Sequence, residues 1–216
     1  IVAYGHLTGS PTSPVPRNST TAALPTLLPT PTPATAPATT LAIDPSRPWW
    51  LQGNYAPVMD EIDATELVIR GALPPELNGY YVKNSSNPPR SDSPHWFFGD
   101  GMVHGLVLGN GAAQSYRNRW VRTEPYVAGL GFGKGAPGGG NSQSNVSVFW
   151  HGGKLLTLEE AHAPFEMDPV TLAPKGTHDF GGQLVGPMTA HPKIDAWLAV
   201  VASRNPTCRD MREEWF

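Results

Sequence analysis

The chain has 216 residues, 15 basic and 18 acidic, for a net charge of -3; that suffices for one domain with a core or for a piece of a larger one, and neither the charge balance nor any basic stripe favours nucleic acid as a partner. Cys208 is the single cysteine, which excludes a disulfide framework and a cysteine-based zinc site. No apolar run approaches the roughly 20 residues of a membrane helix, and no basic segment followed by an apolar one marks a secretory leader, so a cytoplasmic location is expected.

Residues 1–47 carry a Pro/Thr/Ala tract, PTLLPTPTPATAPATT. Such a tract has too little bulky apolar surface to offset its ordering entropy, and its prolines donate no backbone hydrogen bond. We expect this segment to be disordered, with a rigid spacer or secretory stalk as the functional alternative; the glycosylation triplet Asn18-Ser19-Thr20 lends that alternative little support. The texture changes at Pro48-Trp49-Trp50. The best helix candidate, Asp60 to Leu67, is too short to organise a domain. Strands are expected over Gly79–Asn84, Met102–Leu108 and Gln114–Val121, the last two joined by Gly109-Asn110-Gly111, whose residues suit the positive φ of a tight hairpin. In the return strand Tyr116, Asn118 and Trp120 share one face and Arg117, Arg119 and Val121 the other. A second hairpin is expected from Val146–Trp150, a His151-Gly152-Gly153 turn and Lys154–Leu158. Short strands joined by glycine turns, with no long amphipathic helix, give an all-β fold.

The glycine-rich run GLGFGKGAPGGGN, Gly129 to Asn141, lacks the order of a phosphate-binding loop, and no helix follows it. In GPMTAHPKID, Gly186 to Asp195, the proline after His191 biases that histidine toward extended backbone, which aims its imidazole in one direction. Taken alone, His191 reads more readily as a satisfied core histidine than as a metal ligand. The nine-residue spacing of His95 and His104 is no standard ligand spacing. Surface positions are the default for His151 and His162, and a strand edge for His178. Arg117, Arg119 and Arg122 read as a solvated or ion-paired face, and Phe97, Phe98, Trp120 and Trp150 as core rather than substrate-stacking rings.

Five blocks in order give a resemblance. They are GNYAPVMDE (Gly53 to Glu61), LPPELNGYYVKNSSNP (Leu73 to Pro88), HWFFGDGMVHG (His95 to Gly105) with YRNRWVRTE (Tyr116 to Glu124) after it, GGKLLTLEEAHAPFEMDPVTL (Gly152 to Leu172), and GPMTAHPKID. From about Trp49 to Asp195 the chain resembles the carotenoid cleavage oxygenase family, which includes lignostilbene and apocarotenoid dioxygenases. The resemblance implies a seven-bladed β-propeller, here incomplete and represented by its N-terminal blades, with a non-haem Fe(II) held on its axis by four histidines. His191 matches the first of these; the other three would lie downstream. Glu160 matches the first of the family's glutamates that accept the outer N–H of a ligating imidazole. Its neighbour Glu159 is the weaker candidate, because adjacent strand residues face opposite ways.

The implied chemistry is consistent with these residue types. Iron(II) accepts imidazole well, and a carboxylate behind an imidazole fixes its tautomer and raises its basicity. The implied reaction is dioxygenation of a conjugated alkene into two carbonyl products, with an apolar polyene or stilbene and O2 as substrates. A peripheral membrane contact for taking up such a substrate is compatible with that reading. Three departures stand out. The run Asn84-Ser85-Ser86-Asn87-Pro88 replaces the family's Asn-Gly-Pro-Asn-Pro. Residues 196–216 do not align with the family, as a shifted reading frame would leave them. Roughly the C-terminal half of the family fold is not represented. The domain expectation is therefore a Pro/Thr-rich segment over 1–47, a partial dioxygenase domain over 48–195 and an unaligned tail over 196–216. The 216-residue piece is expected to be inactive alone, and the competing readings are a propeller-like binding module without catalysis and a non-functional remnant.

Overall fold

The computed structural model describes residues 2–4, 42–90, 93–131, 142–195 and 200–202. The chain is built from antiparallel strands. The first sheet contains β1 (Val2–Tyr4), β2 (Asp63–Ala64), β3 (Gly79–Asn87), β4 (Asp100–Gly109) and β5 (Ala112–Trp120), in the spatial order β1-β3-β4-β5-β2. After the one-turn helix α1 (Glu124–Val127), β6 (Ser147–His151), β7 (Lys154–Leu158), β8 (Phe165–Met167) and β9 (Pro174–Thr177) form a meander in sequence order. A last hairpin pairs β10 (Lys193–Asp195) with β11 (Val200–Ala202). No helix among the described residues is long and apolar enough to cross a membrane.

The expected hairpins form, and for the expected reason. At the β4–β5 turn Asn110 and Gly111 have φ of 53° and 72°; at the β6–β7 turn Gly152 and Gly153 have φ of 54° and 74°. Two consecutive positive-φ residues are what a two-residue hairpin needs to match the twist of its strands. The strands run longer than the sequence suggests, because pairing continues wherever a neighbour supplies donors: β3 extends to Asn87, opposite Asp100.

Alternation then builds two cores. Val82, Val103 and Val121 lie on one face of the first sheet and pack against Val148, Leu155, Phe165 and Met167 of the second. The opposite face of the second sheet carries Phe149, Leu156 and Leu158, which pack against Phe180, Leu184, Met188 and Ala190. The second sheet is therefore buried on both sides, and each large side chain fully removed from water stabilises the fold by about 1.5–3 kcal/mol. Gly101 allows the closest approach between layers: a Cβ there would lie 2.4 Å from the carbonyl oxygen of Ser144, a backbone atom that cannot yield.

One expectation needs correction. Asp60–Leu67 is not helical. Its backbone is captured by Asn118, which is fully buried: Asn118 Oδ1 accepts the Ile62 N–H at 2.7 Å and its Nδ2 donates to the Asp60 carbonyl at 2.8 Å. Asp63 then pairs with Arg117 and Arg119, Glu61 pairs with Arg122, and β2 adds to the sheet edge beside β5. The short helix is α1 instead, which starts after Thr123 with Pro125 in its first turn, where a missing N–H costs nothing. Within residues 1–47, β1 pairs antiparallel with the edge strand β3. Described structure also resumes at residue 42, where Gln52 Nε2 donates to the carbonyls of Asp44 and Arg47 at 2.9 Å each. Residues 5–41 lie outside the described residues.

Replacing Asn118 removes both side-chain bonds that hold the Asp60–Ile62 backbone to the sheet and leaves a gap at a fully buried position. We expect Asn118→Ala to destabilise the chain by about 2 kcal/mol, read as a lowered denaturant midpoint at unchanged slope.

Candidate active site

The site grows from the exit of β7. That strand ends at Leu158, and the next residues, Glu159 and Glu160, turn out along the wall of an open cavity of about 740 Å³. His191 reaches the same wall from the other side. Met188 and Ala190 are buried in the second core and pin the segment that carries it; the Ser147 hydroxyl donates to the Ala190 carbonyl at 2.5 Å, and the His191 N–H donates to Thr189 Oγ1 at 3.2 Å. With alternate residues anchored inward, the His191 side chain is left 71% exposed, facing the cavity. Trp96, Phe97 and Phe98 give the same cavity an aromatic lining.

Glu160 Oε1 stands 3.8 Å from His191 Nε2. That is beyond hydrogen-bond reach, and the attraction between two exposed groups at this distance is small. The two residues singled out from the sequence are thus brought to one wall without being bonded to each other. As a donor set they fit part of an iron site: one imidazole to ligate, and one carboxylate able to accept the N–H of an imidazole. Among the described residues no three His, Cys, Asp or Glu side chains cluster closely enough to hold a metal ion.

Glu159 also faces the cavity. The alternation argument against it fails because the strand has already ended at Leu158. It is mostly buried, with 14% of its side chain exposed; Oε2 accepts the Gln143 N–H at 3.1 Å, and Oε1 meets His162 Nδ1. His162 is accordingly a wall residue rather than a surface one, and burial lowers its pKa. The carboxylate–imidazole spacing of three residues was the available signal for this pair.

The remaining candidates fall into place. His95 is packed among rings, 5.1 Å from Phe98, and its Nδ1 accepts the Phe97 N–H. His104 bonds to Tyr116 Oη at 2.7 Å, and burial, helped by Lys83, lowers its pKa to about 4. His151 is not a surface residue: it is half-buried and stacks on Phe149. His178 follows β9 and pairs with Glu166 at 3.2 Å. Trp120 is buried, and Trp150 packs against the first core. Phe97, expected in the core, is 61% exposed on the aromatic wall. Arg117, Arg119 and Arg122 are ion-paired, as expected. Residues 132–141 of the glycine-rich run lie outside the described residues.

A family model described as RPE65, retinal pigment epithelial membrane protein, matches residues 55–204. The chain is 41% identical over 170 residues to a carotenoid cleavage oxygenase of Mycobacterium tuberculosis, a match over 73% of this chain and 33% of that protein. The chain belongs to the carotenoid cleavage oxygenase family. It is also 36% identical over 167 residues to resveratrol cleavage oxygenase 1 of Aspergillus fumigatus, covering 70% of this chain and 33% of that one. Among solved structures it is similar to a lignostilbene dioxygenase of Pseudomonas brassicacearum, with a TM-score of 0.61 and 29% identity over 71% of this chain and 36% of the other. It is likewise similar to a cobalt-substituted oxygenase of Synechocystis, with a TM-score of 0.56 and 29% identity over 64% of this chain and 34% of the other. The chain spans about a third of the length of the curated relatives it matches. The family match extends over residues 55–204, and β10 pairs antiparallel with β11.

One residue of the HWFFGDGMVHG block went unremarked in the sequence. Asp100 is buried, and neither carboxylate oxygen has a hydrogen-bond partner among the described residues. Burial raises its pKa to about 6, with Arg90 pulling the other way. A folded-state pKa above the ordinary 3.8 means that the ionised form destabilises the fold. The cost is absent below about pH 4, grows as pH rises through 6, and is constant above. Asp100→Asn should therefore gain on the wild type by roughly 2–3 kcal/mol between pH 4 and pH 7, measured by denaturant unfolding at both pH values.

Proposed function

We propose that this chain is part of a non-haem Fe(II)-dependent dioxygenase that splits a conjugated C=C bond of a carotenoid, apocarotenoid or stilbene into two carbonyl products. We further propose that its two larger sheets are N-terminal blades of a seven-bladed β-propeller, and that the 216-residue chain alone is inactive. The observation that supports the reading best is the convergence of His191 and Glu160, from separate segments, on one cavity that Trp96, Phe97 and Phe98 also line.

In this reading His191 is one of the iron ligands, and Glu160 accepts the outer N–H of a ligating imidazole, fixing its tautomer. Bound iron supplies the reactivity toward O2 that an alkene lacks by itself. Both bonds of the scissile C=C break, one O2 is consumed, and each carbon leaves as a carbonyl. The aromatic wall offers flat apolar faces against which a conjugated substrate stacks. In this reading the isolated chain is inactive because, among the described residues, no second ligand joins His191, and one imidazole does not hold Fe(II) against water.

The test joins residues 55–204 to the downstream part of the Mycobacterium tuberculosis relative. The joined protein is expected to bind one iron per chain and to place label from 18O2 in both carbonyl products of a stilbene or an apocarotenoid. His191→Ala is expected to abolish iron binding and turnover, and Glu160→Gln to weaken metal affinity by roughly 10–100-fold. A His191→Ala protein with full iron content and turnover removes the site assignment. The 216-residue chain, if it alone bound stoichiometric iron and cleaved a stilbene, would overturn the inactivity proposal.

A further inference from the structure

The loop after β7 is held by a run of bonds separate from the proposed metal position. The Gln143 N–H donates to Glu159 Oε2 at 3.1 Å, Glu159 Oε1 takes the Nδ1 side of His162, and the His162 carbonyl accepts the Met188 N–H at 3.1 Å. This run ties together the segment before β6, the loop carrying Glu160 and the segment carrying His191. Its two ends are firm. Met188 is buried in the second core, and Gln143 is buried with its carbonyl accepting the Gly101 N–H at 2.9 Å. Glu160, by contrast, is 61% exposed and makes no hydrogen bond among the described residues, so its aim depends on the backbone beneath it.

We propose that Glu159 and His162 form a clamp that sets the separation of Glu160 and His191, with Glu159 as a positioning residue for the metal-bearing wall. The proposal rests on the reading of His191 and Glu160 given above. The chemistry of the pair fixes its polarity. An ionised carboxylate only accepts, so His162 donates from Nδ1 and carries its proton there. A glutamine in place of Glu159 can satisfy both neighbours: its Oε1 accepts the Gln143 N–H, and its amide N–H donates to His162 Nδ1 once the imidazole proton has moved to Nε2. An alanine can do neither.

These statements are testable by NMR on the metal-free 216-residue chain, so the outcome does not depend on whether iron binds. In the wild type, 15N shifts are expected to report the Nδ1–H tautomer of His162, and a nuclear Overhauser contact is expected between the His191 ring and the Glu160 side chain. In Glu159→Ala, hydrogen exchange at the Met188 amide should rise about tenfold, as for loss of one hydrogen bond's contribution, and the His191–Glu160 contact should disappear. In Glu159→Gln, both should return while the His162 tautomer switches to Nε2–H, which a merely destabilised loop has no reason to show. Unchanged Met188 exchange and an intact His191–Glu160 contact in Glu159→Ala overturn the clamp. Should Glu159→Ala fail to fold, the tautomers decide: an Nε2–H imidazole in the wild type, or no switch in Glu159→Gln, overturns it. Loss of the metal reading through His191→Ala would leave these measurements standing as a structural clamp without a metal role, so the two failures are distinguishable.

Discussion

Strand β7 has no face turned to water, and the rest of the molecule is arranged around that fact. Leu155 points into the core shared with the first sheet, while Leu156 and Leu158 point into the core shared with Phe180 and Met188. A strand apolar on both faces is not fixed in register by its hydrophobic pattern, because a slip by one residue exchanges one leucine for another. Thr157 supplies the missing constraint. It is fully buried, its hydroxyl lies 2.7 Å from Ser144 Oγ, and it bonds to the Phe165 carbonyl at 3.2 Å. A slipped strand would bury that hydroxyl without partners, at a cost of about 1–3 kcal/mol. The Gly152-Gly153 turn at one end and Thr157 near the other therefore fix where the chain leaves the sheet, and with it where Glu159 and Glu160 emerge.

The segment from 143 to 147 carries that register to the cavity. Gln143 gives its N–H to Glu159, Asn145 donates to the carbonyls of Phe97 and Gly99, and Ser147 donates to the carbonyl of Ala190. Alternate residues of one short stretch thus fasten the acidic wall, the aromatic wall and the segment that carries His191. Asn84 of the first sheet holds the same stretch from behind, bonding to the carbonyls of Ser144 at 2.7 Å and Ser147 at 3.0 Å. The two sheets, already in apolar contact, are joined here by directional bonds as well, which is why the walls of the cavity keep a defined spacing.

How far each part could be read from the sequence follows from the range of the interactions involved. The hairpins were legible because Asn110-Gly111 and Gly152-Gly153 determine their turns locally. The family was legible because five blocks carry it in order. Asp60–Leu67 was misread as a helix because the group that extends it, Asn118, lies more than fifty residues away. Glu159 was ranked below Glu160 because alternation was continued past Leu158, although the sequence already ends the strand there and alternation has no hold beyond it. The stretch around Gln143 and Asn145 was illegible for a similar reason: a run of small polar residues reads as a surface loop, whereas here its donors are spent on partners distant in sequence.

The electrostatics of the cavity follow from the same arrangement. Arg117, Arg119 and Arg122 are paired with Asp63 and Glu61 on the far edge of the first sheet, and no Lys or Arg side chain lines the cavity among the described residues. The lining therefore carries two carboxylates and no permanent cation. They differ in how much charge they present. Glu159 has its two oxygens engaged by the Gln143 N–H and by His162, and so presents a damped charge. Glu160 makes no hydrogen bond among the described residues and presents its full charge beside His191. In the proposed reading a metal held by neutral imidazoles brings two uncompensated positive charges, and compensation must come from groups behind the ligands. In that reading a carboxylate already engaged by other donors compensates less than one held ready, so Glu159 would fix the wall and Glu160 would stand behind a ligating imidazole, a division that follows from which of them the fold has supplied with partners.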